Sequence, residues 1–311
     1  MNLQQFQYVL AVAELKHFEA AAEKCFVTQS TLSTMISRFE SEIGIQVFNR
    51  RTKPVTLTSE GRKIIERLKV ISKEVDTLNN VVQELKGELT GELRLGIIPT
   101  VSPYLLPLFL SKFAAEFPMV RVVVQELTTA QIQIALKNRQ LDIGILALPL
   151  EDPDLMEYPL YLEPFMVFDC TNEIGSESVA IQDLDYSRLW FLEEGHCLRT
   201  QVQQICDQSH ASQRKDINFE FKAGSMDSLI RFTKANEGIT VLPYLATSDL
   251  SSEDRMFIKE IDSPTPVRTI GLLTHEHFVK KQLSEKLSSI IRETVRERLP
   301  EINKALELSP I

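Results

Sequence analysis

No apolar run in this 311-residue chain approaches the roughly 18–20 residues that a membrane-crossing helix needs, so no spanning segment is expected. The N-terminus also reads as a poor signal peptide, because "MNLQQFQYVLAVAELKHFEAAAEKC" carries polar and acidic residues inside its apolar stretch. The expected compartment is the cytoplasm, where the four cysteines, Cys25, Cys170, Cys197 and Cys206, rest as thiols. Basic charge is also in deficit, with a net charge of −9, which argues against a chain that coats nucleic acid indiscriminately. Metal ligands are sparse. Cys197 and Cys206 lie nine apart, unlike the gap of about two to four residues in structural zinc pairs, and no His/Cys cluster accompanies them. His275 and His277 lack companions and read as surface residues. Neither a metal nor an organic cofactor is expected.

What is present is ample globular material. Hydrophobic residues make up 43% and charged residues 25%, a globular balance, and the length suggests two or three domains. The charge is uneven. The first 87 residues carry 12 basic and 10 acidic side chains, the remainder 22 and 33, so a nucleic-acid surface belongs near the N-terminus.

That region reads as helices. Residues 3–14 place Leu3, Phe6, Val9 and Leu10 at helical spacing, and alanine-rich "FEAAAEKC" forms a short second helix that another can approach closely. In "FVTQSTLSTMISRFESEIG", Thr28 is the expected N-cap, Leu32, Ile36, Phe39 and Ile43 the buried stripe, and Gly44 the terminator. The other face offers Gln29, Ser30, Thr31, Ser33, Thr34 and Arg38, which with Thr28 suit base edges in a major groove. Arg50, Arg51 and Lys53 then precede the β-like "VTLT", the pattern of a wing gripping phosphates. From residue 59 to 88 one long helix is expected. Leu68, Ile71, Val75, Leu78, Val82 and Leu85 alternate spacings of three and four, the seam of a dimerising coiled coil.

After the linker "KGELTGE", strands such as "GELRLGIIPT", "VRVVVQE" and "LDIGILAL" alternate with helices, implying parallel βαβ units. A second set follows: "PFMVFDC", "RLWFLEEG", "INFEFKAG" and "ITVLP" as strands, "MDSLIRFTKANEG" as a helix. The strand "RTIGLLT" and a helix from about Glu276 to Leu308 return to the first lobe. Within this part, "EEGHCLRTQVQQIC" sets Cys197 beside His196 and near Arg199, with Cys206 following. A structural disulfide, a metal pair, a catalytic thiol and plain core packing are all compatible with that stretch alone. A thiol at the start of the helix "CLRTQVQQIC", with Arg199 within a turn, would favour the thiolate. Cys25 and Cys170 read as buried small hydrophobes.

Taken together, "HFEAAAEKCFVTQSTLSTMISRFESEIGIQVFNRRTKPVTLTSEG" resembles the DNA-binding domain of the LysR-type transcriptional regulators. That resemblance implies an α/β chain in three parts. A winged helix-turn-helix domain occupies residues 1–58 and a linker helix residues 59–88. A two-lobed, periplasmic-binding-protein-like effector domain follows, with lobe I at 89–163 and 268–311 and lobe II at 164–267. "GIIPTVSPYLLP", "LDIGILAL" and "LEEGHCLRTQVQQIC" are similar to the family's hydrogen-peroxide-sensing branch. For this chain the branch implies that peroxide oxidises Cys197, that Cys206 resolves it into a disulfide, and that Thr100, Thr129 and His196 hold the peroxide. Thr200 departs from it, standing where some members carry an acidic residue. The implied partners are promoter DNA, RNA polymerase and the chain itself, as a dimer through the linker helix and a homotetramer.

The spacing gives the implied disulfide a consequence. Nine residues of α-helix rise roughly 13–14 Å, whereas a disulfide needs Cα atoms about 4.4–6.8 Å apart, so closing it requires the helix to unwind. Two rivals stand beside this reading: a LysR-type regulator answering a small metabolite in the interlobe cleft, and an enzyme using Cys197 with His196. Adjacent residues rarely align as nucleophile and base, and a DNA-binding front end would serve no purpose in an enzyme.

Overall fold

The computed structural model describes residues 1–85, 89–171, 177–193, 195, 197–207 and 221–310. Side chains at 73, 76, 77, 79–81, 83–85, 206 and 207 also lie outside the description. The chain divides into two compact units, Met1–Lys86 and Gly87–Ile311.

The first unit packs α1 (Leu3–Leu15), α2 (Phe18–Lys24) and α3 (Gln29–Ile43) around a small core, followed by the hairpin β1 (Phe48–Asn49) and β2 (Thr56–Leu57) and by α4 (Ser59–Leu85). Local chemistry sets each boundary. Asn2 and Gln5 form a capping box on α1, Thr28 Oγ1 accepts from the Thr31 N–H at 3.2 Å, and Gly44 ends α3 in the left-handed region at φ 68°. Ala21 and Ala22 are buried at 0% and 2% exposure, and their small side chains let α2 lie close to α1 and α3. Glu40, the charged exception in the core, accepts from the backbone N–H groups of Val47 at 2.8 Å and Phe48 at 3.1 Å. Leu68 is not part of an outward seam. With Ile65 it is buried in the core of this unit, because α1 packs on the first turns of α4. Ile71, Leu78 and Val82 are exposed further along, Val75 is half-buried, and the Leu85 side chain lies outside the description.

In the second unit, β3 (Gly91–Ile97), α5 (Ser102–Glu116), β4 (Val120–Glu126), α6 (Thr129–Lys137) and β5 (Ile143–Leu148) build parallel βαβ units, with β3 between β4 and β5. The 15-residue strand β6 (Leu155–Asp169) leaves this lobe and enters the next. There it meets β7 (Ser178–Val179), α7 (Cys197–Asp207), α8 (Met226–Ala235), β8 (Ile239–Pro243), the short α9 (Tyr244–Thr247) and α10 (Ser252–Arg255), and β9 (Ile258–Ile261). Strand β10 (Thr265–His275) returns antiparallel to both β5 and β6, and α11 (Lys281–Arg296) and β11 (Ala305–Glu307) complete the chain. Two buried clusters correspond to the two lobes. One is built from β3, β5, β10, α5 and α11, the other from β6, β8, α7 and α8.

Two expectations fail locally. "RLWFLEEG" is no strand, since Leu189 and Leu192 make only isolated bridges to Ile239 and Ala223. The last helix stops at Arg296 rather than Leu308, because Pro300 disfavours helical geometry in the residue before it. The residues beyond it pair with β10 as β11, and Leu308 packs in the lobe II core. The first half of "INFEFKAG", residues 217–220, lies outside the described residues.

Glu40→Ala strands two buried N–H donors and removes a partner of Arg50. It should lower the stability of the N-terminal unit by about 2–3 kcal/mol, read from the shift of its urea midpoint.

Candidate functional site

Helix α7 starts at Cys197 and continues through Asp207, so the backbone at both cysteine positions is helical. Leu198, Val202 and Ile205, spaced by four and three, bury one face in the lobe II core. Cys197 does not follow them. Its side chain, 8% exposed, packs with the lobe I cluster, so the first residue of α7 plugs the opposite lobe.

Beside that thiol lies the largest fully buried side chain among the described residues, Arg268 on β10. Its register partner on β6 is Glu163, and both side chains are 1% exposed. Arg268 Nε donates to Glu163 Oε2 at 2.9 Å, Nη2 sits 2.8 Å from the same oxygen as an ion pair, and Glu163 Oε1 accepts from the Leu245 N–H at 2.9 Å. The fork is completed on Thr100, with Nη1 donating to Oγ1 at 3.1 Å and Nη2 to the carbonyl at 3.2 Å. Burial pushes the Cys197 thiol up from its ordinary value. Arg268, the Thr129 hydroxyl and the N–H groups of Leu198 and Cys197 pull it down but only in part. Thr129 is the first residue of α6, and its buried Oγ1 faces the sulfur without a regular hydrogen bond.

The cation acting on Cys197 is therefore Arg268. Arg199, expected in that role, is half-buried; it donates to the Leu192 carbonyl at 3.1 Å and lies 6.0 Å over the Phe191 ring. The resting thiol is correspondingly disfavoured as a thiolate, against the expectation from its helix position. Thr100 and Thr129 both converge near Cys197 and Arg268; His196 and the Cys206 side chain lie outside the described residues. Cys25 is half-buried and Cys170 buried, both as free thiols. Among the described residues no group of three His, Cys, Asp or Glu could hold a metal. No helix among them is long and apolar enough to cross a membrane.

Sequence reasoning missed Arg268 and Glu163. The signal was available: each is a charged residue set in an otherwise apolar strand, in "TPVRTIGLLT" and "YLEPFMVF", where burial demands a partner.

At the other unit, Thr28, Gln29, Ser30, Thr31, Thr34 and Arg38 are exposed on α3, with Ser33 half-buried. Thr28 Oγ1 is engaged with Ser30 and Thr31 as the helix cap. Arg50 is tied inward, donating to Ser33 at 3.1 Å, Ser37 at 3.0 Å and Glu40 at 3.1 Å. It pins the wing to α3, whereas Arg51 and Lys53 stand exposed in the loop between β1 and β2.

Two family profiles match this arrangement, "Bacterial regulatory helix-turn-helix protein, lysR family" at residues 3–62 and "LysR substrate binding domain" at residues 86–296. The chain belongs to the LysR family of DNA-binding transcriptional regulators, which are not enzymes. Within it, the chain is 33% identical over 294 residues to the DNA-binding transcriptional dual regulator OxyR of Escherichia coli, covering 94% of this chain and 95% of that one. It is 32% identical over 305 residues to the hydrogen peroxide-inducible genes activator of Dickeya chrysanthemi, covering 97% and 99%. The structure of a full-length OxyR variant from Pseudomonas aeruginosa superposes with a TM-score of 0.74 at 27% identity, covering 94% and 98%.

Burial also pushes Cys170 up to about 12 and Tyr104, in the cleft wall, up to about 12. As pH rises past 9 the unfolded chain releases these protons first, so their stabilising effect is complete below about pH 9 and fades toward pH 12. The urea midpoint of the effector unit should fall between about pH 8 and about pH 10.5, and Cys170→Ala should flatten that fall.

Proposed function

We propose that this regulator senses hydrogen peroxide through Cys197 and answers by forming a Cys197–Cys206 disulfide. The observation that carries the reading is the placement of the Cys197 sulfur between the Thr129 hydroxyl and the Arg268 guanidinium at the first turn of a helix that continues to position 206. Peroxide is held by Thr100, Thr129 and His196. Thr100 Oγ1 accepts from Arg268, which leaves its own O–H free to donate. The Cys197 thiolate attacks one peroxide oxygen and the O–O bond breaks. The departing hydroxide takes a proton from the pocket, giving water and a sulfenic acid. The Cys206 thiol then displaces the sulfenic hydroxyl as a second water, and the sulfur–sulfur bond forms. Helix α7 must unwind for this last step. Cellular thiol reductants reverse it.

The change of shape is read out on promoter DNA. Residues Thr28, Gln29, Ser30, Thr31, Ser33, Thr34 and Arg38 face the bases, and Arg51 and Lys53 hold phosphates, with Arg50 bracing the wing. Dimers form through the stripe of Ile71, Val75, Leu78, Val82 and Leu85, and pairs of dimers make a homotetramer whose reorientation alters contact with RNA polymerase.

A second reading has one observation in its favour. The interlobe cleft, about 910 Å³ and lined by Thr100, Tyr104, Met226, Arg231 and Asp249, has room for a small metabolite.

Thiol counting separates the two. Dilute peroxide should remove two of the four thiols in the wild type and none in Cys197→Ser, while Cys206→Ser should stop at the sulfenic acid. A wild type that keeps all four thiols overturns the peroxide reading and leaves the metabolite one.

A further inference from the structure

The helix that carries Cys197 and the strand that carries Arg268 are joined by a third element, the C-terminal segment. Strand β11 runs parallel to the start of β10, with Ala305 opposite Thr265, Leu306 opposite Pro266 and Glu307 opposite Val267. One residue on, the Leu308 N–H donates to the Val267 carbonyl at 2.9 Å, next in sequence to Arg268. The Leu308 carbonyl turns the other way and accepts from Gln201 Nε2 at 3.1 Å. Gln201 lies one helical turn after Cys197, on the same face of α7, and is 0% exposed. Its Oε1 is buried with no partner among the described residues.

A fully buried glutamine in mid-helix is a poor choice for packing alone, since a leucine or methionine would fill the space without a stranded acceptor. Its tether to Leu308 is what distinguishes it. We propose that Gln201 is a positioning residue, and that the C-terminal segment is a strap that locks α7 in register with β10 and so holds the thiol against Arg268. Beyond the apolar packing of Leu308 with α7, the strap's polar hold on the helix is this one side-chain bond, and the other half of the same amide stays unsatisfied among the described residues. Unwinding of α7 must break this bond. The part of the proposal that concerns disulfide closure rests on the redox reading above; the part that concerns the reduced protein does not.

The test uses the full-length, fully reduced chain without peroxide. N-ethylmaleimide labelling of Cys197 and Cys170 is followed by peptide mass spectrometry in the wild type, in Gln201→Met and in a chain ended after Lys304. Gln201→Met keeps the volume and loses the tether. It should speed labelling of Cys197 by roughly five- to tenfold, the loss of one hydrogen bond, and leave Cys170 unchanged. The truncation should act in the same direction on Cys197. Unchanged Cys197 labelling in Gln201→Met, or equal acceleration at Cys170, would mean no strap or only general loosening, and either overturns the proposal. Peroxide is then added. Faster disulfide closure in Gln201→Met than in the wild type supports the strap as a brake on the switch, and closure at the wild-type rate removes that role. If the wild type closes no disulfide, the redox reading fails while the labelling result still decides the strap.

Discussion

Arg268 and Glu163 face each other across the two strands that pass between the lobes, and both are sealed from water. A charge buried so completely is tolerated only with a partner and with its remaining hydrogen-bonding groups occupied. Glu163 also collects a backbone N–H from α9, and Arg268 donates from Nη1 and Nη2 to Thr100, just beyond the end of β3. The pair thus fixes the crossover, the cleft wall and the charge beside Cys197 in one arrangement. Replacing either member disturbs the hinge and the thiol together, which ties the reactivity of one sulfur to the geometry of the whole effector unit.

The same arrangement explains a quiet resting state. Burial works against the Cys197 thiolate, and the guanidinium that favours it is already neutralised by a carboxylate. On the proposed redox reading, a buried thiol so placed stays protonated and waits for a reagent small enough to fit beside Thr100 and Thr129. On that reading selectivity would come from access and from hydrogen bonding at the reacting oxygens, with little help from a permanently charged sulfur.

Much of this was legible in the sequence, for identifiable reasons. The helices of the first unit are set by caps and periodicity, so Thr28, Leu32, Ile36, Phe39 and Gly44 fall where local rules put them. The alternating strands and helices of lobe I are equally plain. What the sequence hid was tertiary. "RLWFLEEG" has a strand's composition but finds only isolated bridge partners. Leu68 keeps heptad spacing yet belongs to the core, because spacing does not say which neighbour arrives first. Arg199 is near Cys197 in sequence, and Arg268 is near it in space. The role of the last residues depended on Pro300 ending a helix whose apolar pattern gave no such warning.

The rooting of α4 has a further mechanical consequence. Ile65 and Leu68 are set in the core against α1, while Ile71 and Leu78 emerge to solvent only beyond them. The first turns of that rod therefore cannot roll without carrying α3 with them. A twist of these turns is passed through α1, which packs on both α4 and α3, and so reaches the helix that carries Gln29 and Arg38 as a change of heading.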